Sequence, residues 1–152
     1  MTYMNHNEPY EESYLQGILK SVKTIAMVGA SPDKTKFSYG VLRVLHETGY
    51  NMYPVNPRSD VKEIRGIKVF NSLAEIDYAV DMVEVFRRPE DLPEVAKEAV
   101  AIGAKVLWGQ IGVRNDEAAR IAEDGGMRVV MDRCPKIELF RPFWKPKLNL
   151  KI

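Results

Sequence analysis

Cysteine is nearly missing from this chain. Cys134 stands alone among 152 residues, so no internal disulfide can form and a disulfide-held secreted scaffold is excluded. Histidine is almost as scarce, with only His6 and His46, and no spaced His/Cys cluster points to a metal centre. No apolar run approaches the ~18 residues of a membrane span, and the polar residues 1–7 lack the apolar core of a secretory leader. An excess of charge is lacking as well. Lys and Arg number 22 against 21 Asp and Glu, which argues against nucleic acid as the main partner and leaves any cationic site to be local. After Gly29 the next glycine is Gly40, so neither the G-x-G-x-x-G of dinucleotide folds nor the G-x-x-x-x-G-K-S/T of P-loop enzymes is present. These absences lead us to expect a cytoplasmic protein whose residues 1–152 form one domain, long enough to bury roughly two-thirds of its unfolded surface.

What is present is organised around residues 24–40. Five mostly apolar, β-favouring residues end on Gly29, and an amphipathic run starts at Ser38, giving strand, loop and helix in that order. A helix start offers unpaired N–H groups and the positive end of the helix dipole, and Lys34 and Lys36 stand in the loop leading into it. The ligand expected there is an anion. Gly29 permits the tight turn, and Ser31 and Ser38 are short donors that can cap the helix or touch a phosphate.

Along the chain, Asn7 is read as the cap of a first helix with Tyr14, Leu15, Ile18 and Leu19 on its apolar stripe. Residues 51–55 form the second strand, with Pro54 near its end and Asn56-Pro57-Arg58 as the turn beyond. Residues 67–70 are a short third-strand candidate, and Ser72 to Glu75 match a capping box. Residues 79–86 are the fourth strand; Asp81 and Glu84 within it are read as fold-stabilising rather than as a functional pair, with one carboxylate shielded by a neighbour. A helix carrying Val95, Ala99 and Ile102 follows, then strand 105–108, a helix capped by Asn115, and strand 127–131. The alternation indicates an α/β, doubly wound, mainly parallel Rossmann-like sheet of order 3-2-1-4-5-6 with helices on both faces. The basic, aromatic tail, residues 141–152, packs either on its own domain or on a second subunit.

In such sheets the ligand lies at the carboxyl ends of the strands, where strand order reverses. That crevice collects Gly29 to Ser38, Asn56-Pro57-Arg58, Phe86 to Pro89 and Trp108-Gly109-Gln110: amides, cations, an aromatic face and a glutamine. Arg58 at the end of the second strand, in place of an acidic residue, favours a phosphorylated ribose as in NADP or coenzyme A.

Five motifs, in this order, carry a resemblance over residues 15–140: Val28-Gly29-Ala30-Ser31 with Lys34, Lys36 and Ser38; residues 54–57; residues 81–88; residues 106–112; and residues 131–138. They resemble the small stand-alone CoA-binding proteins, which are similar to the N-terminal domain of the succinyl-CoA synthetase α subunit. The resemblance implies coenzyme A or an acyl-CoA as ligand. It implies that Ser31, Lys34, Lys36 and Ser38 surround the phosphates, with Gly29 and Ala30 also at the cofactor, and that Asn56, Pro57 and Arg58 meet the phosphorylated ribose. Phe86, Arg87 and Pro89 would border the adenosine, and Trp108 and Gln110 would lie towards the pantetheine arm.

No catalytic group is expected. His6 falls in a terminus expected to fray, His46 lies on a helix away from the strand ends, and the phosphorylated histidine of the synthetase relatives belongs to a domain this chain does not possess. The expected function is therefore binding without catalysis, with no nucleic acid or membrane partner and with a homodimer or another protein as possible associates. Two alternatives stay open: a small NADP-dependent oxidoreductase, and a redox regulator in which Cys134, beside Arg133 and Lys136, forms a mixed disulfide. Trp108 is open between core and platform, and one of Arg87 and Arg88 is expected at the ligand.

Overall fold

The structure is a computed structural model and describes residues 3–141. Helix α1 (Glu12–Ser21) buries Leu15, Ile18 and Leu19 and leads into β1 (Thr24–Val28). Helix α2 (Phe37–Thr48) buries Ser38, Val41, Leu42 and Leu45, ends on Gly49 in the left-handed region, and is followed by β2 (Asn51–Val55). A hairpin of β3 (Glu63–Ile64) and β4 (Ile67–Lys68) precedes β5 (Met82–Val85). The chain continues through α3 (Leu92–Ala101), β6 (Val106–Gly109), α4 (Asp116–Asp124) and β7 (Arg128–Val130). Residues 135–141 form a further helical stretch.

The five long strands pair in parallel in the order β2-β1-β5-β6-β7. Side chains alternate across a strand, so each strand feeds two cores. Ala26, Val28, Val83, Val85, Leu107 and Val129 meet the apolar faces of α3 and α4. Ile25, Met27, Met82, Val106, Trp108 and Val130 meet those of α1 and α2. Both faces are covered, which is why these strands are mostly apolar, with Glu84 in β5 the buried exception.

The expected order holds for five strands, but the third-strand candidate is corrected. Residues 67 and 68 turn back on β3 as an antiparallel hairpin, and only Phe70 reaches the sheet, through one parallel bridge to Val55. Two local causes account for this. Arg65 and Gly66 both have positive φ, 54° and 77°, the pattern of a tight two-residue hairpin turn. Pro54 accepts from Phe70 N at 2.9 Å but has no N–H of its own to extend the ladder along that edge.

The N-terminal segment is a second correction. Asn7 does not cap α1, which begins at Glu12, and His6 does not fray. It is only 7 % exposed, with its ring nitrogens 2.7 Å from Tyr10 Oη and 3.2 Å from Glu123 Oε2. Arg114 donates to the His6 carbonyl at 2.8 Å, so residues 6–10 are strapped across the chain near α4. The capping box at 72–75 is half formed: Ser72 makes no side-chain cap, Glu75 accepts from Asn71 N at 3.2 Å, and the turn is a three-residue 3-10 segment.

The two strand carboxylates part company. Asp81 accepts from Lys23 N and Thr24 N at 2.8 and 3.2 Å, and its own carbonyl accepts from Lys105 N and Val106 N, so it ties together the starts of β1, β5 and β6. Glu84 is fully buried, in register with Met27 and Trp108, and neither carboxylate oxygen has a hydrogen-bond partner. No neighbour shields it. Burial pushes its carboxyl well above the usual carboxylate range.

Candidate functional site

The carboxyl ends of β2, β1, β5 and β6 are stitched to one another by backbone. Gly29 N and Ala30 N donate to Val55 O at 3.1 and 3.2 Å, Phe86 N donates to Val28 O at 2.8 Å, and Gln110 N donates to Val85 O at 3.2 Å. Asn56 adds a side-chain tie, its Nδ2 donating to Ala30 O at 2.8 Å. The four peptides that the sequence singles out therefore leave the sheet side by side. Gly29 is obligatory in this arrangement. Its φ is 90°, and a β-carbon there would stand 2.3 Å from the Phe86 carbonyl oxygen.

Beyond Gly29 the loop is held by its own short side chains. Ser31 Oγ accepts from Asp33 N at 3.1 Å, and Asp33 Oδ1 accepts from the Thr35 amide and hydroxyl at 2.9 and 2.7 Å. These bonds hold the Asp33 carboxyl below the usual carboxylate range, the Thr35 amide contributing most. The loop delivers the chain to α2, whose N-cap, Lys36, makes no side-chain capping bond and whose first turn has no acidic residue. An uncapped, unneutralised helix start presents free N–H groups and a positive potential. Lys34 and Lys36 are exposed, and among the described residues neither has a carboxylate in ion-pair range. These features suit a phosphate.

A cavity of about 260 Å³ opens beside this helix start. Lys34, Lys36, Phe37, Gln110, Cys134 and Lys136 are among its lining residues, which come from three segments remote in sequence. Gln110 is 8 % exposed, and its Oε1 is buried without a hydrogen-bond partner. A second cavity, of about 440 Å³, adjoins and shares Ile111, Cys134 and Ile137 with the first.

The remaining expected residues lie as follows. Ser38 is buried in the first turn of α2 instead of capping it. Pro57 is exposed, and Arg58 is exposed with its guanidinium on Asp60 at 2.7 Å. Phe86 is half-buried against the α1/α2 core, and Arg87 pairs with Asp91 at 3.2 Å. Arg88 pairs with the same Asp91 at 3.4 Å, so both arginines serve that carboxylate. Pro89 is half-buried and accepts from Asn115 Nδ2 at 3.2 Å. Trp108 is 0 % exposed, its indole N–H donating to Arg133 O at 2.9 Å, so it supports the site from beneath and offers no face to a ligand. Sequence reasoning did not single out Phe37, Ile111 and Ile137 as lining residues. The only signal available was an apolar residue in an otherwise polar loop or helix start.

The model of a family described as CoA binding domain matches residues 23–139. The chain belongs to this family. Among relatives of this CoA-binding-domain chain, the Bacillus subtilis protein YneT is 42 % identical over 123 residues, covering 81 % of this chain and 90 % of YneT. The α subunit of ADP-forming acetate-CoA ligase I from Pyrococcus furiosus is 31 % identical over 122 residues, covering 71 % of this chain but 26 % of the subunit. The chain thus spans about a quarter of that ligase subunit. A hypothetical protein of known structure from Pyrococcus horikoshii OT3 superposes with a TM-score of 0.84 at 33 % identity, over 93 % of this chain and 98 % of that one. The expected likeness to the succinyl-CoA synthetase α subunit is matched only loosely, through ADP-forming acetate-CoA ligases.

No helix among the described residues is long and apolar enough to cross a membrane. The tail beyond Arg141 lies outside the described residues.

Proposed function

We propose that this protein binds coenzyme A or an acyl-CoA at the carboxyl ends of β1, β2, β5 and β6, as a cytoplasmic binding protein without catalysis of its own. The carrying observation is the cavity at the start of α2, where two lysines with no ion-pair partner among the described residues and an uncapped helix meet the buried Gln110, whose Oε1 has no hydrogen-bond partner. The lysines and the free N–H groups provide for the pyrophosphate. Gln110 Oε1 is an acceptor awaiting a donor, which a pantetheine amide supplies. Membership of a CoA-binding family supports the same ligand.

Arg58 is the candidate for the 3′-phosphate of the ribose. It sits two residues beyond the Asn56 tie and would exchange its exposed pairing with Asp60 for the phosphate. The binding-only role is supported by the placement of the histidines. His6 is engaged by Tyr10 and Glu123, and His46 lies in the last turn of the 12-residue α2, about 15 Å along the axis from the loop.

Calorimetry with CoA, dephospho-CoA and NADP tests the reading. Binding of CoA in preference to NADP is expected. Failure of CoA to bind overturns it, and equal affinity for CoA and dephospho-CoA removes the role given to Arg58.

A further inference from the structure

The cavity beside α2 changes character across its width. Lys34, Lys36 and Lys136 stand on it, yet so do Phe37, Val41, Ile111 and Ile137. Phe37 is 87 % exposed, Ile111 57 % and Ile137 42 %. Large apolar side chains gathered on one exposed rim mark a surface that a ligand covers, whereas scattered ones need no explanation. Ile111, Cys134 and Ile137 line both this cavity and the neighbouring one, and so form the waist where the two meet. Beyond that waist the cations already have partners: Arg141 pairs with Glu138 at 2.8 Å, and Arg133 donates to the Asp132 carbonyl at 2.9 Å and lies over the Tyr10 ring.

The occupant that fits is anionic at one end and apolar at the other. Free CoA ends in a small thiol, which would leave both isoleucines largely in water. We propose that the preferred ligand is an acyl-CoA with a short to medium saturated acyl group, and that this group lies on the waist formed by Ile111, Cys134 and Ile137. The inference rests on the CoA reading given above and adds the class of ligand. The lysines complement the phosphates, the cavity wall carries the pantetheine past Gln110, and the acyl group removes the isoleucines from water.

Calorimetry on the full chain with CoA, acetyl-CoA and hexanoyl-CoA tests it. Full burial of each added methylene is worth about fourfold in affinity, so even partial burial of four should tighten hexanoyl-CoA at least about tenfold over acetyl-CoA. Hexanoyl-CoA binding within about twofold of acetyl-CoA, while CoA itself binds, overturns the acyl site and leaves the CoA reading standing. Failure of CoA and both thioesters to bind overturns the CoA reading itself, and the acyl site with it. Ile111→Asp and Ile137→Asp locate the group: the hexanoyl-CoA to CoA affinity ratio is expected to collapse towards one in each. An unchanged ratio in both overturns the waist as the seat. Thermal melts confirm that the variants fold, and Ile111→Ser and Ile137→Ala give the same readout should an aspartate variant fail to do so.

Discussion

The α-carbon of Gly29 faces the Phe86 carbonyl so closely that a β-carbon would stand 2.3 Å from its oxygen. The exits of β1 and β5 are thereby pressed together, and the loop proposed to hold phosphate begins at that contact. Gly29→Ala must relieve a backbone clash and also hold alanine at a φ of 90°. We expect a loss of about 1–3 kcal/mol in stability, read by urea denaturation, together with weakened CoA binding.

Lys34 and Lys36 reach the cavity, and among the described residues neither has an ion-pair partner. Lys34→Ala and Lys36→Ala are each expected to weaken CoA about five- to tenfold, because each would remove one of the proposed charge-assisted phosphate contacts. The double variant should also show a shallower dependence of affinity on salt concentration. Titration calorimetry at two ionic strengths checks both.

Arg58 is occupied by Asp60 through two hydrogen bonds, of 3.1 and 2.7 Å. The pairing raises the guanidinium and lowers the carboxyl relative to their ordinary values. If the arginine serves the 3′-phosphate, Asp60→Ala frees it and tightens CoA, while Arg58→Ala abolishes the preference for CoA over dephospho-CoA. Equal effects of Asp60→Ala on both ligands would disconnect this pair from the ribose.

Glu84 is a carboxyl sealed in the α1/α2 side of the sheet with neither oxygen bonded. Its folded value is raised above its unfolded one, so its neutral form fits the fold. The stability it leaves intact is fully present below the unfolded pKa and is lost as pH rises towards the raised folded value. Glu84→Met is therefore expected to stabilise the protein by about 1–3 kcal/mol at pH 8, and by clearly less at pH 4. Thermal melts across that range decide it.

The strand and helix pattern was legible because the central strands are buried on both faces and so, Glu84 aside, run mostly apolar, as in residues 25–28 and 106–108. The turn at Arg65-Gly66 was not, because a non-glycine residue with positive φ leaves little trace in composition. The burial of His6 is not legible in the sequence because it depends on Tyr10 and Glu123, and the latter is 117 positions away. At the site, backbone logic carried the glycine, the lysines and Gln110 into one neighbourhood. Trp108 went under the surface because strand alternation, continued to its last residues, points it at the α1/α2 core. Cys134 lines the cavity, as its position after the last strand allows, yet it stays buried in its wall.

Asp81 gathers the amides of residues 23, 24, 105 and 106 at the opposite edge of the sheet from Gly29 and Gln110. The molecule thus keeps its fastening at one pole and its receptor at the other. Substitutions around Asp81 should change how long the protein survives heat without altering ligand affinity, and the proposed binding pole can be re-cut while the fastening stays as it is.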